Sequence, residues 1–170
     1  MVRPYKTPIS VLVVIYRRTL NAAGQAGELE VLLLERADCV GAWQSVTGSI
    51  EANETLLETA AREVFEETGI IAAEHFLRDC QQQNHYEIYA QWRHRYAPDV
   101  THNTEHVFAL QLNNDCPNIG NERPIILSPR EHVNYQWLLW QDAALKVFSP
   151  SNRAAILQLA RAVRSSLIED

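Results

Sequence analysis

The stretch GSIEANETLLETAAREVFEETGI, Gly48 to Ile70, decides how the rest of the chain is read. Thr55 is a favourable helix N-cap, and Glu58, three residues on, completes a capping box. Gly69 stands where a helix closes on a left-handed residue, so the helix stops before it. At about 100° per residue, Leu57, Ala60, Ala61, Val64, Phe65 and Thr68 fall on one side and form the expected buried face. Glu63, Glu66 and Glu67 stand at i, i+3 and i+4 and share another side. The nearest cation, Arg62, is expected to point away from them. An ordinary solvated face would intersperse lysines, although charge alone leaves these glutamates equally readable as such a face. A hard divalent cation with carboxylate oxygen ligands accounts for the cluster. Glu54, just before the helix, adds a fourth carboxylate near its start.

The length of 170 residues is that of one domain, 1–170, and 46% hydrophobic residues are enough for a core. A net charge of −6 argues against a general nucleic-acid-binding surface, and an acidic enzyme acting on phosphates needs metal or local cations. Cys39, Cys80 and Cys116 have neither paired nor metal-type spacing and read as reduced thiols. No basic start followed by an apolar segment suits a signal peptide. The longest apolar run, Ile9 to Tyr16 broken by Ser10, is well short of the roughly 20 residues that span a bilayer. The expectation is a soluble cytoplasmic protein with neither a nucleic-acid polymer nor a membrane as partner.

Outward from the central helix, Val11–Tyr16 reads as a buried strand, Arg17–Gly27 as a loop, and Glu30–Glu35 as a second strand. Ala42–Val46 is a short extended segment, and Thr47-Gly48 opens the acidic loop. Cys80–Arg95 is expected as one long or two short strands, Thr104–Leu112 as a strand, Asn113–Pro124 as a loop, and Tyr135–Trp140 as the last strand. Asp142 is expected to cap a short helix through Val147, and Ser151 the final helix. Strands on both sides of a central helix, with a closing helix, suit a mixed sheet between helices. The scattered histidines His94, His102, His106 and His132 have no HExxH or CxxC partner, which argues against zinc. No Gly-x-Ser-x-Gly or Cys-His arrangement offers a covalent nucleophile, so water is the expected one.

Gly48, Glu54, Arg62-Glu63-Val64, Glu66-Glu67 and Gly69-Ile70 resemble the signature of the Nudix hydrolases at all nine fixed positions. The resemblance implies an α/β/α sandwich with a mixed β-sheet, and hydrolysis of a nucleoside diphosphate linked to another moiety. It also implies Mg²⁺, with Mn²⁺ able to substitute, held by Glu63, Glu67 and Glu66. Arg62 would orient a box glutamate through a bidentate pair. Outside the box, Lys6, Trp43–Ser49, Tyr86–Tyr89, His94–Pro98, Asn103-Thr104-Glu105 and Ser151-Asn152-Arg153 resemble the bacterial dihydroneopterin triphosphate pyrophosphatases. That group converts dihydroneopterin triphosphate to the monophosphate and pyrophosphate, a step toward folate, and also acts on (d)NTPs such as dATP. By this resemblance Lys6, Arg36, Thr47, Tyr86, Glu87, Ile88, Tyr89 and Ser149 contact substrate. Lys6 and Arg36 would supply positive charge, and Tyr86 and Tyr89 a stacking surface. Pro150 departs from the pattern, which has an aromatic residue after Ser149. Glu131, in a polar loop before the last strand, matches a further carboxylate that such enzymes carry outside the box. It would complete a metal's oxygen shell or, second, take the proton from the attacking water; from composition alone it is a solvated loop glutamate.

Two rival readings stand beside this one. A general or house-cleaning (d)NTP pyrophosphatase would share the box but not the substrate. A non-catalytic nucleotide sensor would share only the fold, and the intact carboxylate set argues against it. No protein partner is read from the sequence.

Overall fold

The computed structural model describes residues 4–112 and 125–165. At its centre lies β1 (Ile9–Leu20), whose residues Val11 to Tyr16 are all buried. A strand apolar at every position must be covered on both faces, and here it is. Val11, Val13 and Ile15 pack with Ala60 and Val64 of α1 (Leu56–Thr68). Leu12, Val14 and Tyr16 pack with Ala143, Ala144, Ala155, Ile156 and Leu159 of α2 (Trp140–Lys146) and α3 (Pro150–Ser165). The result is a sheet with one helix on one face and two on the other, the expected α/β/α sandwich.

The remaining strands are β2 (Ala26–Arg36), β3 (Trp43–Gln44), β4 (Val46–Ser49), β5 (Phe76–Glu87), β6 (His102–Gln111) and β7 (His132–Leu139). The seven-stranded sheet runs β3-β2-β1-β6-β5, with β4 paired to β1 and β7 to β2. It is mixed, because β1 and β6 are parallel and the other pairs antiparallel. β1 shares one edge between two partners: β4 along Ser10–Val13 and β2 along Tyr16–Leu20. β2 therefore parts from β1 halfway along, and turns to β3 at Leu34 and Glu35.

Several expectations need correction. Arg17–Leu20 belongs to β1 rather than to a loop. Its polar side chains are held by cross-strand contacts, Arg17 Nε donating to Glu30 Oε2 at 2.8 Å. The turn is confined to Asn21–Gln25, where Asn21 Oδ1 accepts from the Ala23 and Gln25 backbones. The Cys80–Arg95 segment is neither one strand nor two: β5 begins at Phe76 and ends at Glu87, and Ala90–Arg95 is 3₁₀ helix. The last strand begins three residues early, at the buried His132, and Val133–Tyr135 after it are exposed and show no apolar alternation. Asp142 makes no cap bond to α2. Ser149, not Ser151, caps α3: its Oγ accepts from Asn152 N at 3.2 Å. Pro150 then occupies the first helical position, where a missing N–H costs nothing. The Asn113–Pro124 loop lies outside the described residues.

In α1 the local signals hold. Thr55 and Glu58 form a reciprocal capping box, and Gly69 closes the helix at φ 74°. The buried face is rotated from the expected one: Leu57 and Phe65 are more than half exposed, while Thr59, Glu63 and Glu67 turn inward with Ala60, Val64 and Thr68. Hydrophobicity alone misplaces the face because two of its inward residues are carboxylates. Among the described residues no helix is long and apolar enough to cross a membrane.

Candidate functional site

Three chain segments build one end of the site. β4 brings Gly48 beneath α1, and α1 lays Glu63 against it. A methyl group on Gly48 would lie 1.9 Å from the Glu63 carboxyl carbon, so glycine is the residue that leaves room for this carboxylate. Arg62 does not point away. Its Nε and Nη2 grip Glu54 at 2.6 and 3.0 Å, Nη1 donates to Glu63 Oε1 at 2.7 Å and to Glu66 at 3.3 Å, and Nη2 reaches the Ser49 carbonyl. The bidentate partner is thus Glu54, whose carboxyl Arg62 holds down at about 2. Glu54 also accepts from Thr59 Oγ1 and the Glu51 backbone, so it serves the frame of the loop.

Glu63 and Glu67 are buried, at 7% and 3% exposure, whereas Glu66 is exposed. Burial, then the neighbouring Glu67 charge, push the Glu63 carboxyl up to about 7 despite Arg62. Burial likewise raises Glu67, against a bond from His132; Glu131 adds a like charge and the Thr47 backbone a stabilising N–H. His132, grouped by sequence with the scattered histidines, is buried in β7 with Nε2 3.0 Å from Glu67 Oε2. Toward an ionised Glu67, which only accepts, Nε2 is the nitrogen that would donate. Two buried carboxylates raised chiefly by burial, with Glu66 and Glu131 at hand, form an all-oxygen donor set that fits a hard divalent cation. Among the described residues no three acidic, histidine or cysteine side chains close on one point by themselves. A cation here would keep water or substrate oxygens in its shell.

This end opens into a cleft of about 1160 Å³, lined by Glu66, Glu67, Glu131 and Thr47 on one side and by Tyr86, Glu87, Ile88, Tyr89 and Ser149 elsewhere, with Lys6 and Arg36 also on its wall. Glu63 itself lies behind that wall. Arg36 is not a free cation: it forks onto Asp38 at 2.7 and 2.8 Å, donates to Gln44, and stacks 4.3 Å over Trp92. Asp38, held near 2 chiefly by Arg36, also accepts from Trp92 Nε1 and Arg95 Nη2, so two guanidinium groups share one carboxylate and leave net positive charge. Tyr89, Trp92 and Phe148 meet edge to face at 5.4–5.9 Å. Tyr86 is no free stacking ring; its hydroxyl is tied to Asn103 and Glu105. Asp38, Arg95, Trp92, Phe148 and His132 are cleft residues that the sequence reading did not assign. Of these, Arg95 lay inside the His94–Pro98 stretch of the resemblance, and His132 directly follows Glu131; nothing in the sequence pointed to Asp38, Trp92 or Phe148.

The α3 terminus is locked to this floor. Asn152 accepts from Ser45 N at 2.8 Å and donates to Ser45 Oγ at 2.9 Å, across 107 residues of sequence. The family model of the NUDIX domain matches residues 6–159. The chain belongs to the Nudix family. Its relatives include the dihydroneopterin triphosphate diphosphatase of Escherichia coli (strain K12), 44% identical over 156 residues that cover 91% of this chain and 93% of that one. The Haemophilus influenzae protein of the same name is 36% identical over 154 residues, 89% of this chain and 87% of its own. The solved E. coli dihydroneopterin triphosphate pyrophosphohydrolase superposes with a TM-score of 0.75 over 92% of this chain and 97% of that one. The similarity of this Nudix hydrolase to those enzymes thus extends over about nine-tenths of its chain.

Proposed function

We propose that this Nudix hydrolase cleaves dihydroneopterin triphosphate to the monophosphate and pyrophosphate, and acts on (d)NTPs such as dATP as lesser substrates. The observation that carries this reading is one continuous cleft joining a carboxylate end to an aromatic, hydrogen-bonding end. The name of the relatives at 44% and 36% identity supports the same substrate. We assign the cation as Mg²⁺, with Mn²⁺ able to substitute, because Mg²⁺ takes few protein carboxylates and keeps water and phosphate oxygens. Glu63 and Glu67 would hold it, with Glu66 and Glu131 completing the donors. Such an ion neutralises phosphate charge and makes a bound water acidic.

The chain's own groups do the rest. Arg62 fixes Glu63, and His132 with the Thr47 N–H fixes Glu67, so both carboxylates hold their position against mutual repulsion. Lys6, Arg36 and Arg95 bring positive charge to the wall where a triphosphate would lie. Tyr89 with its aromatic neighbours offers a face to a flat ring, and Glu131 is left to receive a proton if it is not a ligand. We place the enzyme in the cytoplasm, where Cys39 and Cys80, free in this fold, stay reduced.

Pyrophosphate release measured as kcat/KM tests the substrate. Dihydroneopterin triphosphate should exceed dATP and GTP. A far higher value for any dNTP would replace this reading with the house-cleaning one.

A further inference from the structure

Asn103 and Glu105 stand on β6, on the sheet face shared with Val107, Ala109 and α3, and both line the cleft. They are 2% and 4% exposed, far from where charged or amide side chains normally sit. A chain of hydrogen bonds fixes them. Ser149 Oγ lies 2.9 Å from Ser151 Oγ, and Ser151 in turn donates to the Glu105 carboxylate. Asn84 Nδ2 donates to Glu105 Oε1 at 3.2 Å, and Tyr86 O–H to Oε2 at 3.4 Å.

The Tyr86 proton decides how Asn103 is turned. A phenol has one proton, and the carboxylate takes it. The phenol oxygen must then accept, which it does from Asn103 Nδ2 at 3.1 Å; the same Nδ2 donates to Ser10 Oγ at 2.7 Å. Asn103 Oδ1 is left buried without a partner. A buried acceptor with no donor is costly and requires a reason. Beside it stands a carboxylate whose desolvation keeps its pKa high even with three donors around it. Two acceptors in the wall of a ligand cleft, one orphaned and one under-neutralised, select for a partner that brings donors.

We propose that Asn103 and Glu105 read the edge of the substrate's heterocycle, and that they favour an amino group beside a ring N–H. That edge belongs to 2-amino-4-oxo rings, pterin and guanine alike. Adenine presents a ring acceptor beside its amino group, and hypoxanthine lacks the amino group. The inference rests on the proposed action on heterocyclic triphosphates, but not on which of them is preferred.

GTP and ITP differ only in the 2-amino group, so they test the edge directly. The wild-type enzyme should show kcat/KM for GTP about tenfold or more above that for ITP, the size expected of a good paired contact. Glu105→Gln keeps the shape but replaces an acceptor with a donor, and the GTP-to-ITP ratio should collapse toward one. Binding of the products GMP and IMP to the wild-type protein by calorimetry gives the same comparison without a variant, GMP being about tenfold tighter. Equal handling of GTP and ITP by the wild type, or equal losses on GTP, ITP and dATP in Glu105→Gln, would overturn the proposal. A wild type that prefers some dNTP to dihydroneopterin triphosphate would defeat the substrate assignment and leave the GTP-to-ITP test standing.

Discussion

Gly48→Ala is the sharpest probe of the carboxylate end. Gly48 pairs with Val11 in the β1–β4 ladder, so its backbone cannot withdraw without breaking strand pairing. The added methyl would lie 1.9 Å from both Cδ and Oε1 of Glu63, and 2.4 Å from Oε2. Ordinary carbon contacts begin near 3.5 Å, so the carboxylate must retreat by roughly 1.5 Å. Glu63 is buried and bound to Arg62 at 2.7 Å, and that retreat breaks the bond or drags Arg62 from Glu54. Because the obstacle is the end of a flexible side chain, the stability cost should stay within the roughly 1–3 kcal/mol of overpacked sites. Turnover is far more sensitive, since a misplacement of about 1 Å at a reacting centre costs on the order of a hundredfold. Pyrophosphate release at saturating substrate and a magnesium titration, beside a thermal melt, separate the two effects. The expected outcome is a cooperative melt, kcat down about a hundredfold, and a weaker magnesium midpoint. Wild-type kcat and midpoint in Gly48→Ala would refute the claim that Glu63 must sit where it does.

Three further outcomes are expected. In chelator-treated protein, Glu63 has a folded pKa of about 7 against an ordinary 4.5, so its contribution favours the folded state below about 4.5 and is lost as pH rises through 7. The melting temperature should fall across that window, by at most roughly 3 kcal/mol of stability, and Mg²⁺ should restore it at the upper end; a flat profile would count against burial as the cause. Ser149→Ala removes the α3 cap and should cost about 1 kcal/mol in a chemical denaturation curve, while Asp142→Ala should change it little, and the reverse order would contradict the observed caps. Glu131→Gln should lower kcat with little change in KM; partial recovery at high magnesium marks a ligand, no recovery marks a base, and full activity at low magnesium returns it to a solvated loop residue.

What the sequence carried by itself was local. The Thr55–Glu58 box, the Gly69 stop and the i, i+4 placement of Glu63 and Glu67 all depend on bonds spanning a few residues, so they are visible in a short window. The doubly buried β1 was legible for a similar reason: an unbroken apolar run has nowhere else to go. The box pattern also named the family. What the tertiary structure decided was which groups meet across the chain. His132 reaches Glu67 over 65 residues, Asn152 clamps Ser45 over 107, and Glu105 gathers donors from β5 and α3. The inward turn of α1 also belongs here, because its carboxylate face is buried only when β7 and β4 bring His132 and the Thr47 N–H to Glu67, beside the helix's own Arg62 on Glu63. Polar strand ends such as Arg17–Leu20 were hidden for the same reason: their extended form is maintained by a partner strand rather than by their own composition. Hydrogen bonds between distant residues leave no period in the sequence, and in this protein they are the bonds that turn an acidic helix into one end of a substrate cleft.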